Sequence, residues 1–383
     1  MRSEIHSGND NPADRQVTGM TKALDAAAAY EEIGDNDKLP SLPAVSVLML
    51  VHNHAPYLAQ AIEGVLAQDC DFRFELLIGE DASSDDSLAI ALHYQHLRPD
   101  VVRVVRWCKN AGMNANQRAL FALARGGHFA FCEGDDYWCH RGKLAAQHAL
   151  LFANPEAGCV HSDWVRAVER RGAFDIDMRN TMHRRVRPAL LQGDLFHAFH
   201  FPKILRTCTV MQTRSAVEAF HASELATRDY LFVDTVRSSY ITSRWKVLYW
   251  PEIGSVYRER HSSALRSGPR AFLRFLRSSL DFDEHARRFF NGRADYPHAY
   301  RWECSLGLLL RSLQAGDFPS LVDATRGLHR RHSAWGFVRA ATAAIRLRWP
   351  ALRVNQRPMP VAVRSESSKA ISANQTGNMG HSA

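Results

Sequence analysis

"VSVLMLVHNHAPYLAQAIEGVLAQDCDFRFELLIGED" occupies residues 45–81 and changes its period twice. Residues 45–51 form a continuous, Val-rich apolar run of strand length. Residues 55–68 place Leu58, Ile62, Val65 and Leu66 on one helical face. Residues 72–79, "FRFELLIG", return to strand character. The alternation continues downstream. Ser83 and Ser84 are candidate caps for a helix carrying Leu88, Ala91 and Leu92. "VVRVVRW" (101–107) predicts a third strand, residues 114–125 a helix, and "HFAFCE" (128–133) a fourth strand. A helix at 143–152 and a strand at 158–164 follow. Strands alternating with helices imply crossover units and a mostly parallel sheet with helices on its faces. Ligands of such sheets sit beyond the carboxyl ends of the strands.

The polar clusters fall at those ends. They are "HNH" (52–54), "EDASSDD" (80–86), "KNAGMNANQ" (109–117) and "GDDYW" (134–138). Glu133, Asp135 and Asp136 crowd negative charge onto one turn. Carboxylates that close resist losing water unless a cation or donors compensate them. Two of them on a tight turn can present oxygens to Mg²⁺ or Mn²⁺, with phosphate and water completing the shell. The plain alternative is a solvated acidic turn in which Asp136 caps the next helix; the position after the fourth strand favours the ligand. Asp81 can accept from the N–H of a pyrimidine base, or close an Asx turn. His52 and Asn53 are candidate polar contacts to the same nucleotide. Lys109 and Asn110 face the same edge, Lys109 as a phosphate contact or a plain surface lysine. Asn114 or Asn116 would cap the following helix.

Composition sets the outer limits. The 383 residues carry a net charge of +8 and are 46% apolar, which suits a globular core with an anionic partner. The seven cysteines form no C-x-x-C pair, so a zinc site is not expected, and reduced thiols in a cytoplasmic protein are. No secretory signal pattern or membrane-spanning run is read. Residues 1–40 are expected as a disordered arm, 43–265 as the α/β domain, 266–350 as a helical basic extension and 355–383 as a disordered tail.

Two blocks, residues 43–87 and 132–163, together resemble family 2 glycosyltransferases of the GT-A fold. They share with that family an acidic-Asp-x-Ser turn after strand two and an acidic-x-Asp-Asp turn after strand four. The resemblance implies a Rossmann-like nucleotide-sugar-binding domain and inverting sugar transfer to an acceptor hydroxyl with Mg²⁺ or Mn²⁺. It implies that Asp81 meets the base, and that Glu133 and Asp135 lie at the ribose and metal, with Asp135 the metal ligand. Inverting transfer needs one general base. By family context that is Asp229, in "RDYLFVDTVRSSYI" (228–241), with Asp234 the alternative; Asp229 as a simple helix cap is the competing reading. "SVYRERHSS" (255–263) resembles the family's Tyr-Arg-x-His segment, so Arg258 or Arg260 would grip phosphate and His261 is a candidate metal ligand.

The Arg-rich helices at 271–280 and 328–349 can pack as a cap or lie on an anionic membrane. The expected partners are therefore a UDP- or dTDP-linked donor, a saccharide or lipid-linked acceptor, and a peripheral contact at the inner face of the cytoplasmic membrane, with no nucleic acid. The expected role is hexosyl transfer in bacterial surface-polysaccharide synthesis. The alternative is a nucleotide-sugar-binding protein without turnover.

Overall fold

The computed structural model describes residues 29–201, 204–259 and 268–336 apart from positions 36 and 332, together with 338 and 342. In chain order the elements are β1 (Tyr30–Ile33), β2 (Val45–Val51), α1 (Ala55–Leu66), β3 (Phe74–Glu80), α2 (Ser87–Leu97), β4 (Val102–Trp107), α3 (Met113–Leu123), β5 (His128–Phe131), β6 (Tyr137–Trp138) and α4 (Lys143–Ala153). They continue with β7 (Ala157–Arg170), β8 (Ala173–Ile176), β9 (Val210–Thr213), α5 (Arg214–His221), α6 (Val233–Thr242), β10 (Lys246–Glu259), α7 (Pro269–Phe289), α8 (His298–Ala315) and α9 (Phe318–Arg331).

The strands form one mixed sheet in the order β1-β4-β3-β2-β5-β9-β7-β10-β6, with β8 paired to β7. β4, β3, β2 and β5 are parallel neighbours. β9 runs antiparallel to both β5 and β7, and β7 and β10 are parallel. β2 lies inside the parallel group, covered on both faces, which accounts for its unbroken apolar run. Val47 and Met49 face Leu58, Ile62 and Val65 of α1. Leu48 turns to the other face, with Leu120 and Phe121 of α3 and Val217 of α5. This is the expected GT-A architecture.

Several boundaries differ from the sequence reading. Tyr30–Ile33, placed in the expected disordered arm, pair antiparallel with β4, where Tyr30 packs on Trp107 with ring centroids 5.0 Å apart. The rest of that arm, residues 1–28, and the tail 355–383 lie outside the described residues. α3 begins at Met113 after Gly112, whose φ of 84° suits glycine, so neither Asn114 nor Asn116 is the cap. Asn116 is instead buried, donating to the Gly79 carbonyl at 2.7 Å and accepting from Trp107 Nε1 at 3.1 Å.

The expected C-terminal helices form α7 to α9 and pack on the domain through a third core. Phe196, Phe199, Phe220, Tyr230 and Phe232 meet Leu276, Leu280, Phe282 and Tyr300 there. Most of the second basic stretch, 328–349, lies outside the described residues. Among the described residues no helix is long and apolar enough to cross a membrane.

Candidate active site

The loops after β2 and β3 are laced together. Asn53 N–H donates to Ser83 Oγ at 3.0 Å, and Ser84 N–H donates to Asn53 Oδ1 at 2.8 Å. His54 N–H donates to Ser87 Oγ at 2.9 Å, and Ala55 N–H to Asp85 Oδ2 at 3.0 Å. Ser83 and Ser84 therefore join two loops and do not cap α2, which starts at Ser87. Asn53 and Ala82 adopt positive φ, 56° and 51°. That conformation costs Ala82 on the order of 1–2 kcal/mol, and it places Ser83 N–H 2.7 Å from Glu80 Oε1.

Asp81 is buried, and both its oxygens are engaged. Oδ1 accepts from Ala111 N–H at 2.6 Å and Oδ2 from Gly112 N–H at 2.9 Å. In this structure the residue expected to meet a base anchors the loop between β4 and α3. His52 Nδ1 lies 2.9 Å from the Asp81 carbonyl oxygen, and Asn110 Nδ2 lies 3.2 Å from the His52 ring. His52, Asn53, Asp81 and Asn110 thus form one cluster, with Lys109 exposed beside it.

The acidic turn follows β5. Asp136 N–H closes it on the Glu133 carbonyl at 3.0 Å. Gly134 is required at its apex, since a Cβ there would come 2.8 Å from His54 Nδ1 and 3.0 Å from Val51 Cγ2. Asp136 is buried; Oδ1 accepts from Arg258 N–H at 2.9 Å, and Oδ2 has no hydrogen-bond partner. Asp135 is partly exposed and lies 3.9 Å from His54 Nε2. Arg258 does not reach out for phosphate. It is buried beneath the turn, donating from Nη1 to the Asp135 carbonyl at 2.9 Å and from Nη2 to Gln60 Oε1, with its guanidinium 4.6 Å from the Tyr137 ring centroid. Its work is to build the turn. His261 and Arg260 lie outside the described residues.

Charge on this turn is under-compensated. Burial pushes the Asp136 carboxyl up to about 7, and the charge of Asp135 adds to that. Burial also raises Glu133 well above its ordinary value, with Asp136, Asp135 and Asp234 adding to the effect. Arg206 offsets both carboxyls in part. Its guanidinium stacks 4.2 Å from the Tyr257 ring centroid and 4.9 Å from that of Trp164, and its Nε is buried without a partner.

The two candidate bases have different surroundings. Tyr230 and Phe232 are buried in the third core, where Tyr230 Oη lies 2.8 Å from His285 Nδ1. That anchoring keeps residues 229–232 out of the helix and leaves Asp229 on the outside, 2.5 Å from Arg118 Nη1 with 60% of its side chain exposed. α6 starts only at Val233, so the expected helix start at Asp229 is displaced by four residues. Asp234 sits in its first turn, accepting from Thr207 Oγ1 at 3.1 Å and from Thr235 N–H at 2.7 Å. Its charge reaches Glu133 and Arg237. Arg237 is itself buried, bonded at 2.8 Å to both Gln212 Oε1 and Gln117 Oε1.

A metal fits this donor set in one way. Among the described residues no three His, Cys, Asp or Glu side chains form a self-contained cage. The crowded carboxylates, the orphaned Asp136 Oδ2 and the partly exposed Asp135 suit a hard divalent cation that takes its remaining ligands from a substrate phosphate.

Comparison with known proteins gives the family. Residues 46–206 match the model described as glycosyl transferase family 2. The chain carries a family 2 glycosyltransferase domain. The protein Rv1520 of Mycobacterium tuberculosis is 34% identical over 142 residues, which are 37% of this chain and 40% of the relative. The chain thus spans about two-fifths of that relative's length. The putative glycosyltransferase EpsE of Bacillus subtilis is 33% identical over 109 residues, 28% of this chain and 38% of EpsE. Among solved structures, TarS 1–349 of S. aureus, in complex with UDP-GlcNAc, superposes with a TM-score of 0.48 at 16% identity, covering 78% of this chain and 79% of that one.

Three residues beside the candidate carboxylates, Arg206, Thr207 and Arg237, receive no role in the sequence reading. The available signal was indirect: an Arg three residues after an Asp in a helix's first turn shares that turn's face.

Proposed function

We propose that this glycosyltransferase domain moves a sugar, with inversion, from a nucleotide-diphosphate sugar to a hydroxyl of a saccharide or glycolipid acceptor, in assembly of a bacterial surface polysaccharide. The supporting observation is that Asp234, at the start of α6, accepts from Thr207 Oγ1 at 3.1 Å, next to Cys208, whose carbonyl accepts from Trp138 Nε1 at 2.9 Å just past the acidic turn.

In this reading Asp234, not Asp229, is the general base. Thr207 and the Thr235 N–H donate to its two oxygens and fix its orientation. The acceptor hydroxyl gives its proton to Asp234 as its oxygen attacks the anomeric carbon. The bond from that carbon to the diphosphate breaks, and the nucleoside diphosphate leaves with the electron pair. His52, Asn53 and Asn110 line the nucleotide end, and Lys109 lies within the same edge for phosphate. Asp81 acts there by holding the loop of residues 110–112. Glu133 faces the ribose. Arg206, stacked on Tyr257, takes the phosphate-facing part expected of Arg258 or Arg260. Asp135 would hold Mg²⁺ or Mn²⁺, which neutralises charge on the departing diphosphate. The donor is UDP- or dTDP-linked, and the domain works at the cytoplasmic side of the membrane.

The test is nucleotide release from a panel of nucleotide sugars with Mg²⁺, Mn²⁺ or EDTA. Metal-dependent release from one donor, lost in Asp135→Ala and Asp234→Asn, is expected. Tight donor binding with no release in the wild type, with lipid-linked and free saccharide acceptors alike, would replace this reading with a binding protein.

A further inference from the structure

α7, α8 and the start of α6 enclose a cavity of about 490 Å³. Its volume is that of a small-molecule site. Phe232, Phe272, Phe275 and Tyr300 stand among its 14 lining residues. We propose that it receives the apolar chain of a lipid-linked acceptor whose hydroxyl is presented to Asp234. This rests on the glycosyl-transfer reading above and names where its acceptor is held.

Four observations carry it. First, the cavity reaches the residue next to the proposed base. Thr235 lines it, and the N–H of the same residue donates to Asp234 Oδ1 at 2.7 Å. Second, the helix wall is kept open at a cost. Gly307 lies within α8 and lines the cavity. A helix-interior glycine forfeits about 1 kcal/mol relative to alanine, and a Cβ at this point would already approach Leu276 Cδ2 to 3.3 Å.

Third, the mouth opens onto an apolar stripe. Leu310 lines the cavity and is 50% exposed, and Leu306 and Leu313, one turn to either side, are 37% and 57% exposed. Their spacing puts them on one helical face, and contiguous exposed apolar surface marks a contact site more often than chance. Fourth, the lining holds one cation that a phosphate-linked lipid could meet, Arg311, with Glu303 as the one carboxylate beside it. Arg311 is exposed there, bonded to Gln314 Oε1 at 2.8 Å with its guanidinium 5.2 Å from the Phe272 ring centroid. A chain entering along the Leu stripe would pass that guanidinium before reaching the aromatic wall.

The probes are butyl, hexyl and octyl β-D-glucosides, each below its critical micelle concentration, titrated calorimetrically into the full chain without donor. Each added CH2 is expected to tighten binding by up to about 4-fold while the cavity still has room. Gly307→Phe fills the cavity and Leu310→Glu charges its mouth; both should flatten the dependence on chain length while nucleotide binding is unchanged. Leu310 is half exposed, so the second variant keeps the test alive if the first fails to fold. Asp234→Asn should lose turnover and keep the chain-length dependence, which separates failure of this inference from failure of the glycosyl-transfer reading. Equal affinity for all three glucosides in the wild type overturns the proposal. So does an undiminished chain-length dependence in both variants. A shift in sedimentation coefficient in the filled variant, with glucoside binding intact, would make a second copy of the chain the occupant and overturn it as well.

Discussion

Two buried acidic centres lie at opposite ends of the same parallel strands, and their chemistry runs in opposite directions. Glu75, at the start of β3, is fully buried. Ser46 Oγ donates to it at 2.6 Å, Arg103 Nη1 at 2.8 Å, and Arg125 through both its backbone N–H, at 2.7 Å, and its guanidinium. Burial alone would raise its carboxyl, but the bonds from Ser46 and Arg125 and the charge of Arg103 bring it below its ordinary value. At the other end, Glu133 and Asp136 are pushed upward. Arg206, which offsets both in part, is stacked on aromatic rings, and Asp136 Oδ2 is buried without a hydrogen-bond partner. The first centre is closed by the chain's own donors and is structural. The second keeps charge that the chain's own donors offset only in part.

Four outcomes can break or sharpen this contrast. The largest effect belongs to the open end: Asp234→Asn should lower kcat about 10²–10⁴-fold, whereas Asp229→Asn, whose partner is an exposed Arg118, should stay within a few-fold. Steady-state kinetics on the donor found by nucleotide release decides between them, and equal losses would restore Asp229 as the base. Next comes the closed end. Glu75→Gln leaves Arg103 and Arg125 without their shared carboxylate and should cost about 3–5 kcal/mol in urea unfolding.

Asp136→Asn should do the reverse, stabilising the free protein by about 0.5–2 kcal/mol while slowing turnover. A destabilised Asp136→Asn would mean that the acidic turn is as structural as Glu75. The smallest effect is in pH. A carboxyl held below its ordinary value of 4.5 contributes stability that is present above that value and lost as pH falls through the depressed one. Glu75→Gln should therefore lower Tm near neutrality without changing its slope there, and flatten the acid limb of the profile below about pH 4.5.

Much of the first half was legible because period and position coincide there. The runs at 45–51 and 101–107 could only be buried strands, and the polar clusters had to follow them. Glu133, Asp135 and His52 were singled out on that logic, and the structure places them in the loops after β5 and β2. The second half was read less well because its decisive contacts are long-range. Nothing local in "RDYLFVD" says that Tyr230 and Phe232 will be drawn into a core with residues near 280, yet that anchoring leaves Asp229 exposed and puts Asp234 in the first turn of α6. Arg258 was misjudged for a similar reason. Its neighbours Tyr57, Gln60 and Tyr137 are distant in sequence, and only their convergence turns an apparent phosphate ligand into a buried brace. Tyr30–Ile33 lacked any signal beyond four residues of mixed polarity, and their pairing depends on the edge that β4 offers.

The antiparallel strand β9 has a consequence for how the protein comes into being. It joins β5 to β7, pairing His128 with Thr213 and Cys159 with Gln212 across long loops. During synthesis the strands β2 to β5 and their helices emerge and can pair while residues 206–237 are still untranslated. Contacts of such separation form late, because loop closure must come before they reward it. The acidic turn therefore spends its first moments without Arg206, Thr207 or Asp234. These groups come together only when β9 closes the sheet, so a nascent chain that has not yet exposed residues 206–237 would hold β2 to β5 and the acidic turn without the side chains that later surround it.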